Sequence, residues 1–484
     1  GAGGTLKAEH GTGRVMAPFV RRQYGDELYD VMREVKALLD PAGVLNPGVI
    51  LSDDATIHLQ HLKSTPTVDA EVDRCVDCGY CEPVCPSRDL TLTPRQRIAL
   101  RREQQRAREA GDAEVVERLE AVTGYAVVDT CAVDGMCATA CPLQIDTGAL
   151  TKRLRAQRVD AVTSAAWAVA AGHWDATTAV AGRALTLARD HPRSAAVAGR
   201  ALDALAPAGS APRWASGLPG GGPRRQPRPT GDAVAVYVPA CVGVMFGPEP
   251  GLPGVRAAFT ALCAHAGVVV DVPPGVESAC CGTPFSSKGM RRAHGDLADR
   301  MGPWLWQVSD AGRLPVVTDA ASCTEGFVGL AHGAAGGPGG PVTVLDALAF
   351  ARSTVVPALL ARGDLPLPHR LASIAVHPTC STTRLGLTQD VVALAALVAE
   401  RVDVPFDWGC CGFAGDRGLL HPELTASATA AQADEVRRLG AQAHASANRT
   451  CELAMTRATG HPYGHVLEHL AIALGLLPDP QSAG

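Results

Sequence analysis

Four cysteines in CVDCGYCEPVCP, Cys75, Cys78, Cys81 and Cys85, stand at the C-x2-C-x2-C-x3-C-P spacing. A tight loop of this kind turns three thiolates toward one iron-sulfur cubane, and its fourth thiolate serves the other cluster of a pair. A second run is therefore expected, and CAVDGMCATACP supplies it, with Cys131, Cys137 and Cys141 before Pro142 and with Asp134 where the second cysteine would stand. Crossing the pairs gives one candidate set of Cys75, Cys78, Cys81 and Cys141, and another of Cys131, Cys137, Cys85 and Asp134. Zinc is the alternative for a lone four-cysteine run, but a zinc site calls for neither the trailing proline nor a second run at the same spacing.

Asp134 changes the chemistry expected of its set. A carboxylate oxygen is harder than a thiolate and binds iron less well in a sulfide cluster. The expectation is a labile iron there, with interconversion between four-iron and three-iron forms. Alternatively Asp134 only caps its loop, and water or hydroxide completes the site.

Eight more cysteines fall in an internal repeat. VPACVGVMFG pairs with VHPTCSTTRLG, SACCGTPFSSKG with WGCCGFAGDRG, and DAASCTEG with SANRTCEL, each partner lying about 130 to 140 residues further on. One copy carries Cys241, Cys280, Cys281 and Cys323, the other Cys380, Cys410, Cys411 and Cys451. Adjacent cysteines followed by Gly282 or Gly412 can set two thiolates against one cluster while the glycine admits close backbone approach. The alternative is that these thiols hold zinc or nothing. His377, His421, His461 and His465 read as loop or cap residues rather than ligands. The remaining cysteine, Cys263, sits in the apolar helical pattern VRAAFTALCAHAG and reads as a small core residue.

The elements that must position these groups follow from composition and punctuation. With 484 residues, 46% of them hydrophobic, the chain is long enough for about three domains. A net charge of -5 with mixed signs gives no footprint for nucleic acid or an anionic membrane surface. No apolar stretch reaches a transmembrane length. Position 1 is Gly, and the chain is expected to be a fragment, cytoplasmic or peripheral on the inner face of the cell membrane. Sixteen cysteines clustered beside Pro and Gly fit metal ligation in a reducing compartment better than disulfides. Between the two cysteine runs, TPRQRIALRREQQRAREAGDAEVVERLEA predicts a polar helix-turn-helix with Pro94 near its start. ALAPAGSAPRWASGLPGGGPRRQPRPTG reads as an exposed linker, with Arg224, Arg225 and Arg228 solvated. Beyond it, AVAVYV, GVVVDV, LPVVTD and SIAVHP alternate with helical segments and predict α/β modules with largely parallel sheets.

Several of these features carry resemblances. The first cysteine run matches that of bacterial ferredoxins, and the spacing of the two runs resembles the all-helical ferredoxin domain of succinate dehydrogenase iron-sulfur subunits. The repeats resemble the cysteine-rich CCG domain of heterodisulfide reductases and of the iron-sulfur subunits of glycolate oxidase and glycerol-3-phosphate dehydrogenase. That family's pattern ends in C-x-x-C, whereas Ala320 precedes Cys323 and Asn448 precedes Cys451 at that spacing. Each module thus keeps four candidate ligands, enough for an ordinary cubane, and the case for a non-cubane cluster weakens. LKAEHGTGR at residues 6–14 resembles the SGEHGxG signature of flavin-linked oxidases of the vanillyl-alcohol-oxidase fold, and LDPAGVLNPG at residues 39–48 resembles the close of the same domain. The resemblance implies catalytic places for Glu9 and His10, with His10 taking the hydroxyl proton as hydride passes to flavin N5, and flavin contact by His10 and Asn46. Lys7 and Arg14 become candidates for the substrate carboxylate, since fixed cations suit an anionic 2-hydroxy acid.

The order of parts resembles large bacterial fusions of the FAD-linked D-lactate or D-2-hydroxyglutarate dehydrogenase type. It implies a mixed fold: the end of a flavin-oxidase C-terminal domain over residues 1–55, an all-helical double-cluster ferredoxin domain over 56–160, Ala-rich helices and linker over 161–231, then α/β CCG modules over 232–350 and 351–484. The cofactors implied are two [4Fe-4S] clusters, with the CCG modules as candidates for more, and FAD in the intact enzyme. The expected function is passage of electrons from the reduced flavin to a quinone, cytochrome or other carrier, with the flavin-binding part supplied by a missing N-terminal domain or a separate flavoprotein. The chain alone is then expected to bind flavin poorly. A heterodisulfide-reductase-like thiol/disulfide oxidoreductase and a separate, non-catalytic electron-transfer subunit are the alternatives.

Overall fold

The computed structural model describes residue 4 and residues 12–62, 65–205, 217–333 and 342–478. The chain divides into two compact units, Gly1–Pro66 and Thr67–Gly484.

In the first unit the helices Ala17–Tyr24 and Asp26–Leu39 follow one another across Gly25. Asp26 and Glu27 in the first turn and Lys36 in the last suit the dipole of the second helix. Asp40 ends that helix and folds the following loop onto it, accepting hydrogen bonds from Lys36 Nζ at 2.6 Å, Leu45 N at 2.9 Å and Val44 N at 3.0 Å.

In the second unit, loops carrying the two cysteine runs flank the helices Pro94–Ala110 and Ala113–Val122. Thr93 and Gln96 form a reciprocal capping box around Pro94, and Gly111 ends the helix in a left-handed conformation. The helix Thr147–Arg158 follows, capped by Asp146, and then Ala161–Gly172, Trp174–Asp190 and Pro192–Leu205.

The repeat folds twice into one topology. Strands β1 (Ala235–Tyr237), β2 (Val270–Asp271), β3 (Val316–Thr318) and β4 (Val344–Asp346) form a parallel sheet in the order β2-β1-β3-β4. Strands β5 (Leu371–Val376), β6 (Ala399–Asp403), β7 (Ala443–Ser446) and β8 (Gly464–His465) form a second in the order β6-β5-β7-β8. Val236, Val316, Val317, Ile374 and Ala445 are fully buried, as expected for parallel strands covered by helices on both faces. A single apolar core runs through both modules, joining Phe259 and Leu262 of the first to Leu394 and Leu470 of the second. Cys263 belongs to this core, and burial pushes its thiol up to about 12.

One expectation is corrected. Arg225 is not solvated: it is 4% exposed and donates to Pro239 O at 3.1 Å, Glu277 O at 2.6 Å and Ala279 O at 2.9 Å. Its planar, many-donor guanidinium satisfies three carbonyls at once, which holds this part of the segment on the first module. Nor is its neighbour free, since Arg224 pairs with Asp175.

The cysteine runs dock on the modules through a buried arginine and a close glycine contact. Arg155 donates to Val128 O at 2.9 Å and Cys131 O at 2.7 Å in the second run, and to Ser287 O at 2.5 Å in the first module. Gly289 lies at φ 76°, and a Cβ there would fall 2.4 Å from the Ala156 backbone nitrogen. No helix among the described residues is long and apolar enough to cross a membrane.

Candidate metal centres

Cys75, Cys78, Cys81 and Cys141 line one small cavity, walled by Val76, Ile98, Pro142 and Ile145. The structure thus brings Cys141, from the second run, to three thiols of the first. Left-handed backbone at Asp77 and Gly79 curls the loop so that its sulfurs converge. Arg102 fixes the loop from behind, donating to Asp73 O at 3.2 Å and Cys75 O at 3.0 Å. Burial pushes the Cys81 thiol up to about 11 and raises that of Cys75. Thiolates gathered here therefore need cationic metal to balance them, and four soft donors around an apolar-walled cavity fit an iron-sulfur cluster.

Cys85, Cys131 and Cys137 are buried, and Asp134 lies among them. Arg97, 1% exposed, donates to Ser87 Oγ at 2.7 Å and approaches Cys85 Sγ at 3.7 Å. Asp134 Oδ1 accepts from Met136 N at 3.3 Å, which is a loop-capping contact, while Oδ2 is shut from solvent. Burial raises the Asp134 carboxyl above its ordinary range, against a hydrogen bond with Cys410 that lowers it.

In both modules the cysteines follow the carboxyl ends of the strands. Cys241 comes after β1, Cys280 and Cys281 after β2, and Cys323 after β3; Cys380, Cys410 with Cys411, and Cys451 follow β5, β6 and β7. Parallel sheets gather ligand sites at that edge, where the direction of winding switches. Gly282 and Gly412 hold φ values of 81° and 69°, so the glycine after each cysteine pair adopts the left-handed turn that a side chain disfavours.

In the first module the four thiols form a chain of contacts, Cys241 to Cys280, Cys280 to Cys281, and Cys281 to Cys323. Hydrogen bonds from Cys280 and Cys323 hold the Cys281 thiol well below its ordinary value, and Thr283 Oγ1 lies 3.3 Å from its sulfur. Ala320, at the position of a missing cysteine, is buried. In the second module Cys411 Sγ and Cys451 Sγ are 3.3 Å apart, and Cys380 contacts Cys410. Asn448, at the equivalent gap, reaches across to the first module and donates to Ser322 Oγ at 2.9 Å.

The histidines divide. His465 caps the helix Val466–Ala473, with Nδ1 accepting from Leu467 N, and His421 precedes the helix Pro422–Leu439. His461 stacks on His444. His377 does not fit the loop-or-cap expectation: it is fully buried, and its ring meets Cys411 and Cys451 in a group whose donor atoms all lie within 4.8 Å of one another. The repeat held a signal for this, because His377 stands three residues before Cys380 where Val238 stands before Cys241.

Of the flavin-linked candidates, Lys7, Glu9 and His10 lie outside the described residues. Arg14 is half-buried in a turn, and Asn46 adopts φ 44° with its carbonyl accepting from Val49 N at 3.2 Å.

Comparison with known proteins bears on these regions. Residues 1–50 match the family described as FAD linked oxidases, C-terminal domain; residues 71–145 match the 4Fe-4S dicluster domain; residues 374–456 match the cysteine-rich domain. Over 53 residues, 11% of each chain, the protein is 42% identical to the glycolate oxidase subunit GlcD of Bacillus subtilis (strain 168). The alignment therefore spans about a tenth of the length of that curated relative. Along this chain, then, a segment similar to the C-terminal domain of FAD linked oxidases is followed by one similar to the 4Fe-4S dicluster domain and one similar to the cysteine-rich domain.

Proposed function

We propose that this chain is the iron-sulfur electron-transfer portion of a flavin-dependent D-2-hydroxy-acid dehydrogenase of the D-lactate or D-2-hydroxyglutarate type. The observation that carries the reading is the convergence of Cys141 on Cys75, Cys78 and Cys81, in a polypeptide that also holds flavin-oxidase sequence. Cys75, Cys78, Cys81 and Cys141 would hold one cluster, and Cys85, Cys131 and Cys137 with Asp134 a second. Such clusters supply one-electron transfer between a two-electron donor and an acceptor such as a quinone, cytochrome or carrier protein.

The chain's own groups set the conditions for this. Arg97 and Arg102 place buried positive charge and donors beside the two thiol sets, which favours the thiolate forms. In the flavin-linked segment, the resemblance assigns His10 to accept the substrate hydroxyl proton, Glu9 to stand beside it, and Lys7 and Arg14 to bind the carboxylate. The helix Asp26–Leu39 leaves Leu28, Val31, Val35 and Leu38 each more than half exposed. Their spacing sets them on one helix face, which supports packing against the remainder of a flavin-binding part.

The test is to join this chain to its flavin-binding part and assay D-lactate and D-2-hydroxyglutarate with an artificial acceptor. His10→Asn is expected to abolish turnover with the iron content unchanged; retained turnover would overturn the role of His10.

A second reading, thiol or disulfide chemistry at the first module, has one observation in its favour. The Cys281 thiol, held low, lines a cavity of about 870 Å3 together with Lys152, His294 and Trp306. Reduction of a disulfide by the reduced chain, without activity on 2-hydroxy acids, would select it.

A further inference from the structure

We propose that the second module holds a single divalent metal ion through the His377 imidazole and the Cys411 and Cys451 thiolates, a mixed nitrogen-sulfur site with no counterpart among the described residues of the first module. The three donors are buried, and their ligand atoms lie within 4.8 Å of one another. The two sulfurs are 3.3 Å apart. A tetrahedral ion with metal-sulfur bonds of about 2.3 Å sets two thiolates roughly 3.8 Å apart, close to this spacing. Thiolates of a cubane each bind a different iron and stand further apart.

The imidazole is oriented for ligation. Its Nδ1 lies 3.0 Å from Gln432 Oε1. An amide oxygen only accepts, so Nδ1 carries the hydrogen and Nε2 keeps its lone pair. Nε2 is buried and faces the Cys411 thiol, with no other hydrogen-bond partner. This is the arrangement of a metal-binding histidine, whose second nitrogen donates to an oxygen that fixes the tautomer. The backbone holds the residue at the end of β5: His377 N donates to Ala445 O at 2.8 Å, and Ser446 Oγ donates to His377 O at 3.0 Å. Val238 occupies the same place in the first module, its amide donating to Val317 O at 2.8 Å, and its side chain offers no donor atom. Two copies of one topology therefore differ at this strand end: an apolar Val238 in the first, the His377 imidazole in the second.

The inference goes beyond the electron-transfer reading and does not depend on it. The site takes a borderline-soft ion such as Zn2+, for which imidazole and thiolate are both suitable ligands. With the full chain prepared anaerobically and supplied with Zn2+, metal analysis is expected to give one zinc per chain, and zinc-edge X-ray absorption a shell containing both sulfur and imidazole nitrogen. Gln432→Leu is expected to weaken zinc binding by about 10- to 100-fold. His377→Ala is expected to weaken it at least as much, and His377→Cys to retain zinc in an all-sulfur shell, which a merely structural histidine would not do. A lone iron with nitrogen in its shell and no added sulfide would support the same site. Zinc held unchanged by His377→Ala, a module that binds neither metal, or iron and sulfide showing a further cubane there would overturn it. Iron and sulfide of the dicluster region are counted separately, so failure of this site is distinguishable from failure of the electron-transfer reading.

Discussion

Asp134 and Cys410, far apart in sequence, meet side chain to side chain: the carboxyl from the second cysteine run contacts the first thiol of the Cys410-Cys411 pair. Around them Ala132, Met136, Cys410 and Leu424 form one apolar cluster, and Arg384 donates to Asp134 O at 3.3 Å. The one position where the second run departs from the four-cysteine spacing is thus also one of its points of contact with the second module.

Replacement of Asp134 tests its role as an iron ligand. Asp134→Cys is expected to complete a four-thiolate set and remove the three-iron signal from the electron paramagnetic resonance spectrum of the oxidised protein. Asp134→Asn is expected to raise the three-iron fraction. Absence of a three-iron signal in the parent under every oxidation regime, with no change in Asp134→Cys, would leave Asp134 as a loop cap.

The crossed grouping of cysteines makes a separate demand. Cys141→Ser is expected to remove the cluster of Cys75, Cys78 and Cys81, while Cys85→Ser removes the other, each lowering dicluster iron and sulfide by about half. The reduced spectra of the two variants should sum to that of the parent. Cys141→Ser should lose the same signal as Cys78→Ser; loss of that signal in Cys85→Ser instead would refute the crossing.

Arg155 ties the second run to the first module through three carbonyls. Arg155→Met keeps much of the volume and removes all the donors. The variant is expected to lose about 3 kcal/mol of stability, the cost of leaving buried carbonyls unpaired. Denaturant midpoints, measured with clusters intact, check the figure; a loss below about 1 kcal/mol would mean water replaces the guanidinium.

Asp346 gives a pH dependence of defined sign. Burial raises its carboxyl from the ordinary value to about 7, partly offset by hydrogen bonds accepted from Leu348 N and Thr324 Oγ1. In the folded chain it keeps a proton that the unfolded chain releases near pH ~4. Its contribution is therefore full below that pH and is lost as pH rises toward about 7, by up to ~1.4 kcal/mol per unit. Asp346→Asn should flatten the unfolding free energy between pH 5 and 8; an unaltered slope would place the dependence on other groups.

Much was legible because ligand chemistry imposes local spacing. The tight loop of Cys75 to Cys85, its partner run, the helix start at Thr93 and Pro94, and the duplicated strand pattern all depend on residues near one another in the chain. Strands β4, β6, β7 and β8 were not named in the sequence reading: segments such as AERVD over Ala399–Asp403 and AHAS over Ala443–Ser446 mix charged, polar and small residues and lack the Val-rich run of the strands that were. Arg225 was misjudged because Pro and Gly around it speak of backbone conformation, not of the carbonyls that a folded module presents.

By itself, then, the sequence determined which residues can bind metal and that one module occurs twice. Only the tertiary structure decided which of them meet: Cys141 with the first run, Asp134 with Cys410, and His377 with Cys411 and Cys451. Spacing along a chain constrains neighbours within a turn or two, whereas these meetings depend on how parallel strands order themselves and on which strand ends the buried core brings together.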